Sequence, residues 1–129
     1  MEHIKLDRPQ TAISLASKLV TDWNKEFVIG MYVDSSLHLI HAEVISMGTL
    51  NMSLSHPREV FKPAVLRSAA SVLLLHNHPS DDLKPSDFDK KGAKQLVKAG
   101  EILGIPFQES FIFNKYGAWF GIISKQSGK

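Results

Sequence analysis

Two histidines one residue apart, His76 and His78, are followed eleven residues after the second by Asp89, with Ser86 three positions before that aspartate. Two imidazoles and a carboxylate can supply three ligands to one divalent cation and leave a fourth position for water, the layout of a catalytic zinc site. Histidines at i and i+2 converge on one ion only from extended or irregular backbone, because the useful helical spacing is i, i+4. The apolar run at residues 71–75 meets that need: it reads as a short central strand that delivers His76 into a loop. Asn77 then points away between the ligands, and Pro79 stiffens the exit of the loop.

Each of these residues also has a plain structural explanation. A His-X-His pair alone suits a solvated surface loop, and Ser86-X-X-Asp89 ahead of an apolar periodic run is a capping-box pattern. Asp89 tilts the balance. At 100° per residue, Asp89, Ala93, Leu96, Gly100 and Leu103 fall within about 40° of one direction, while Lys90, Lys91, Lys94, Lys98 and Glu101 cover the opposite side. An inward carboxylate is costly unless it is paired or binds a metal, and its own helical face offers no base. Capping and chemistry are compatible for Ser86, since a hydroxyl at the first turn lies where developing negative charge is favoured.

Metal-assisted hydrolysis also requires a group to take a proton from water and pass it on. Glu26, Glu43 and Glu59 are the candidates. Glu26 stands at the mouth of a very apolar segment that can hold it rigidly in a low-dielectric setting. Glu43 lies inside a second strand, and Glu59 sits in a first helical turn where the helix dipole accounts for it. The pattern favours Glu26.

The elements that must position these groups follow from periodicity and punctuation. Residues 9–23 place Ile13, Ala16, Leu19, Val20 and Trp23 at helical spacing behind a proline. Residues 26–33 are too apolar for a half-exposed strand, and Asp34-Ser35-Ser36 turns them into a second strand over 37–46. A connection opening at Gly48-Thr49-Leu50-Asn51 ends at Ser55-His56-Pro57, where a helix starts and runs to about residue 68. The longest helix opens at Lys84-Pro85-Ser86 and stops near Gly104. Strands over 107–113 and 118–123 close the pattern, followed by a frayed tail.

The bulk properties narrow the function classes. A length of 129 residues suits one domain, 1–129, with a core at about 9–123. Fifteen basic against thirteen acidic residues give no surface built for polyanions. Cysteine is absent, which leaves nitrogen and oxygen ligands for any metal. Neither a signal peptide nor an apolar span suited to a bilayer is expected, so the reading is a cytoplasmic protein without a membrane partner.

His76-X-His78, Ser86 and Asp89, with Glu26 about fifty positions upstream, resemble the JAMM motif of the JAB/MPN+ metalloprotease superfamily. Within it the chain is similar to the RadC-like JAB domains. The likeness runs over 9–123 and is carried by Glu26-Phe27, Gly48-Thr49-Leu50-Asn51, the segment from His56 to Phe61, the segment from His76 to Ser80, and Pro85-Ser86. It implies that His76, His78 and Asp89 bind Zn2+, that Glu26 handles the proton of water, and that Ser86 steadies a tetrahedral intermediate. It also implies an α/β fold of three layers, α-β-α, around a mixed, cytidine-deaminase-like sheet.

The chain departs from the family pattern in two ways. Asp81 stands where those domains usually carry glycine, which is expected to alter the turn and to add a carboxylate near the metal. Those proteins also usually carry a helix-hairpin-helix-like region ahead of the domain, whereas this sequence is read as beginning essentially at the JAB domain. The function expected is a zinc hydrolase cleaving a peptide or isopeptide amide in a peptide or protein substrate.

The alternatives are a DNA-associated RadC-type accessory or nuclease module in DNA repair, a metal-stabilised interaction domain whose chemistry has lapsed, and histidine-triad phosphate chemistry. The first finds little in the charge balance, where the stripe Lys90, Lys94, Lys98 reads as a solvated helix face. The second is opposed by an intact Glu26 and Ser86. The third wants a histidine at Ser80. His56 reads as a residue at a helix start, and His38 and His41 fall on opposite faces of their strand. Trp23, Trp119 and Phe120 read as core or partner contacts rather than stacking platforms.

Overall fold

The computed structural model describes residues 4–48 and 56–129. In chain order the elements are α1 (Pro9–Leu19), β1 (Glu26–Val33), β2 (Leu39–Gly48), α2 (Pro57–Leu66), β3 (Ser71–Asn77), α3 (Asp87–Leu103), β4 (Phe107–Phe113), β5 (Trp119–Gly121) and β6 (Ser127–Gly128). The expected connection at 49–55 lies outside the described residues. The strands form one open mixed sheet in the order β2-β1-β3-β4-β5-β6, with β3 and β4 the parallel pair and the remaining neighbours antiparallel.

The central strands are apolar on both faces because both faces are covered. On one side, Ala12, Ile13 and Ala16 of α1 pack with Phe27, Ile29, Met31, Leu73, Leu75 and Phe113. On the other, Val60, Phe61 and Ala64 of α2 and Leu96 of α3 pack with Val28, Tyr32, Val72 and Leu74. The result is the three-layer α/β arrangement expected from the sequence. Strand alternation also decides which groups share a face. Glu26 follows Val28 and Tyr32, and His76 follows Val72 and Leu74, so both belong to the layer of α2 and α3. Antiparallel pairing sets Val28 opposite His76, two residues from Glu26.

Several boundaries differ from the sequence reading, each for a local reason. Helix α1 ends at Leu19 rather than residue 23, because Val20 is already extended and the Asp22 carboxylate accepts the Asn24 amide at 2.9 Å to form a turn. Trp23 instead packs edge-on against Phe113, with centroids 5.8 Å apart. Strand β2 starts at Leu39 and runs on to Gly48, since Leu37 takes a left-handed φ of 67° and Asp34 Oδ1 accepts from both Ser36 and His38. Strand β3 continues through His76 and Asn77, which pair with Ile112 and Phe113 of β4, so His76 is a strand residue and not a loop residue.

The C-terminal strand is short, but the tail is anchored. Ser127 and Gly128 pair with Phe120 and Trp119, and the Glu109 carboxylate accepts from the amides of Ile123 and Ser124 at 2.7 and 2.9 Å. Gly121 leaves room for that latch, since a Cβ would lie 2.7 Å from Glu109 Oε2 and push the carboxylate aside. Leu103, expected inward, is 49% exposed at the last turn of α3. Among the described residues no helix is long and apolar enough to cross a membrane.

Candidate metal centre

Helix α3 starts on a complete capping box. Ser86 Oγ accepts the Asp89 amide at 3.0 Å, and Asp89 Oδ2 accepts the Ser86 amide at 2.9 Å. The cap therefore holds Asp89 at a fixed place in the first turn, and α3, packed on β4, brings that carboxylate to the end of β3. Asp89 is 6% exposed, and Ala93, Leu96 and Gly100 continue its buried face. The close seating extends along the helix: a Cβ on Gly100 would lie 2.6 Å from the Ile105 carbonyl.

At the C-terminal end of β3, His76 Nε2 approaches Asp89 Oδ1 to 3.2 Å and His78 Nε2 approaches Asp89 Oδ2 to 3.1 Å. The two imidazole centroids are 5.1 Å apart. One ligand atom from each of His76, His78 and Asp89 falls within 4.8 Å of the others, the spacing of a group able to hold one cation. The odd spacing works because His78 has left the ladder that still carries His76, so side chains from successive alternate positions converge.

The hydrogen bonding around this trio is uneven. His78 Nδ1 lies 2.8 Å from the Asp82 carbonyl, which can only accept, so Nδ1 carries the proton and the lone pair of the neutral ring sits on Nε2. His76 is wholly buried, and neither of its ring nitrogens has a hydrogen-bond partner. Its approach to Asp89 has the distance of an ion pair without hydrogen-bond alignment. A buried polar atom left this way costs about 1–3 kcal/mol, and a cation at the trio would remove that cost for Nε2, the nitrogen that faces Asp89. The donor set of two imidazole nitrogens and one carboxylate oxygen fits zinc or a similar borderline ion.

The electrostatics tie a fourth residue to the trio. Burial pushes the Glu26 carboxyl above its ordinary range, the nearby His76 and His78 partly offset this, and Asp89 adds to it. Burial acts in the same direction on Asp89, but the two imidazoles outweigh it and hold that carboxyl well below the usual range. Burial lowers His78, and its contacts with Asp89 and the Asp82 carbonyl reverse this to a net rise.

Of the three glutamates considered as proton carriers, only Glu26 is placed here. Glu43 pairs with His41 at 2.8 Å, and Glu59 lies beside Arg58 on the surface. Ser86 is exposed, and because its oxygen accepts the Asp89 amide its own hydrogen remains free to donate.

Two sequence expectations at the loop change. Asp81 does not add a carboxylate to the trio, since its side chain reaches toward Lys115 at 3.8 Å. It takes a left-handed φ of 66°, the conformation that favours glycine and that aspartate tolerates better than most residues, and its amide closes a turn onto the His78 carbonyl. Asn77 points away from the ligands, but into the protein. It is fully buried, accepts the Phe27 amide at 2.7 Å and donates to the Lys25 carbonyl at 2.9 Å. A strongly polar amide next to an apolar run, in a strand expected to be central, was the available signal for it. His56 does start a helix, with Nδ1 accepting the Arg58 amide at 3.2 Å.

Known sequences similar to this chain point to one family. The family described as RadC-like JAB domain matches residues 6–127. A UPF0758 protein of Methanosarcina mazei is 40% identical over 108 residues, covering 84% of this chain and 47% of the relative. Another, from Caldanaerobacter subterraneus subsp. tengcongensis, is 40% identical over 127 residues, covering 98% of this chain and 53% of the relative. The chain thus spans about half the length of the curated relatives it matches.

Proposed function

The chain belongs to the RadC-like JAB-domain family, and on that premise we propose that it is a metal-dependent hydrolase, with zinc as its ion and a peptide or isopeptide amide as the bond it opens. One observation carries the reading: a fully buried His76, whose Nε2 faces Asp89 Oδ1 at 3.2 Å without hydrogen-bond alignment, converges with His78 Nε2 and Asp89 on one point. A cation there would take the Nε2 lone pairs of both histidines and an Asp89 oxygen together. Three side-chain donors without sulfur suit a zinc site that keeps a position for substrate or water.

Bound there, zinc supplies Lewis acidity toward a carbonyl and toward water. The protein's own groups do the rest. Glu26, raised by burial, accepts a proton from water more readily than an ordinary carboxylate does and then passes it to the more basic departing amine. Ser86 Oγ–H, at the N-terminus of α3, donates to the oxyanion that develops on the carbonyl. The Asp82 carbonyl holds the His78 ring in its ligating tautomer.

The test is Glu26→Gln against wild type, with metal content and the appearance of new protein N-termini read together. The variant is expected to keep its metal and lose turnover by about 100-fold or more; unchanged turnover contradicts the assignment. The second reading, a DNA-associated accessory or nuclease module, draws on the exposed Lys90, Lys91, Lys94 and Lys98. It requires binding that weakens steeply with salt, and a gel shift that stays flat at low salt removes it.

A further inference from the structure

Asn77 is an amide between two ligand histidines whose hydrogen bonds go elsewhere. Its Oδ1 accepts the Phe27 amide at 2.7 Å and its Nδ2 donates to the Lys25 carbonyl at 2.9 Å, across fifty and fifty-two residues of sequence. These are the peptide groups on either side of Glu26. The β1–β3 ladder has its last pair at Val28 and His76, so the side chain of Asn77 replaces backbone pairing where the ladder has run out. Its own backbone is fixed in turn, paired with Phe113 of β4.

We infer that Asn77 is a positioning residue that holds the Glu26 carboxylate in register with the metal ligands. Fixing the carbonyl before Glu26 and the amide after it fixes the backbone torsions of Glu26, and with them the direction of its Cα–Cβ bond. Because Asn77 lies between His76 and His78, the clamp that orients the carboxylate is covalently part of the segment that carries two ligands. Carboxylate and cation site then move together. A threonine or serine at this position could accept from Phe27 but could not also reach Lys25, so the bidentate amide accounts for the residue type. The inference rests on the proton-carrying role of Glu26 proposed above, while the clamp itself is independent of it.

The experiment has three arms. In the wild-type protein, NMR should detect scalar couplings through the bonds from Asn77 Nδ2–H to the Lys25 carbonyl and from the Phe27 amide to Asn77; their absence overturns the inference. In Asn77→Ala, and in Asn77→Asp should the first variant fail to fold, Glu26 should pass from one side-chain rotamer to several while metal stoichiometry is unchanged. A single retained rotamer, or metal lost in parallel, overturns it.

With a pool of fluorescence-quenched peptides, Asn77→Ala should lower kcat about 10–100-fold with little change in KM, and should lower it no further in a Glu26→Gln background. An equal drop in both backgrounds marks a merely structural residue and overturns the inference. If Glu26→Gln leaves turnover intact, the hydrolase reading fails instead, and the coupling and rotamer arms still decide the clamp.

Discussion

Glu109 and Asp89 are both acidic side chains withdrawn from water, 7% and 6% exposed, yet they keep different company. The Glu109 carboxylate accepts from the backbone amides of Ser110, Ile123 and Ser124 at 2.9, 2.7 and 2.9 Å. Those donors cannot lose their protons or coordinate a cation. They make Glu109 a latch that holds the C-terminal segment on the sheet. Asp89 has one backbone donor, the Ser86 amide, and otherwise faces His76 and His78. Imidazoles offer lone pairs as readily as protons. Burial of a carboxylate is therefore no sign of function in itself; what distinguishes the two regions is whether the partners could share an ion with it.

That contrast can be broken from either side. The largest effect is expected from Asp89→Ala, which removes one of the three proposed ligands: affinity for zinc should fall by more than about 100-fold, beyond the loss typical of an outer-shell change. The stability of the metal-free variant should fall by about 1–3 kcal/mol, since the bond to the Ser86 amide and the contacts with His76 and His78 are lost together. Isothermal titration with zinc and urea unfolding in chelator measure the two quantities. A stability loss that dwarfs the change in affinity would make Asp89 a second Glu109.

Glu109→Ala should show the reverse pattern. Its three amide donors lose their acceptor, and urea unfolding should report a loss of about 2–4 kcal/mol, with zinc binding unchanged. The smallest effect belongs to Asp81→Gly. Glycine relieves the left-handed backbone at that position at the expense of a weak surface contact with Lys115, so stability should rise by less than about 1 kcal/mol and metal content should not move. Loss of metal in Asp81→Gly would show that the loop contributes more to the site than the contacts of Asp81 imply.

Much of the fold was legible because local signals and burial agree. The unbroken apolar character of residues 26–33 corresponds to a strand buried on both faces, and Ser86 with Gly104 marked both ends of the longest helix. The burial of Asp89 beside the two histidines was legible as well, since Asp89 shares a helical face with Ala93, Leu96 and Gly100. What escaped was set by contacts distant in sequence. His76 reads as a loop residue until Ile112 is known to pair with it. The tail reads as frayed until Glu109 is seen to bind it from another strand. Asn77 reads as a spacer until the peptide groups around Glu26 come within reach of its amide. Periodicity reports which face a residue takes, and it is silent about partners fifty positions away.

The central claim is that His76, His78 and Asp89 bind one ion, and metal content measures it most directly. Protein reconstituted with zinc and dialysed should hold about one ion per chain by mass spectrometry, and the double variant His76→Ala/His78→Ala, confirmed as folded, should hold none. A wild-type protein without zinc, or a double variant that retains as much as wild type, contradicts the account.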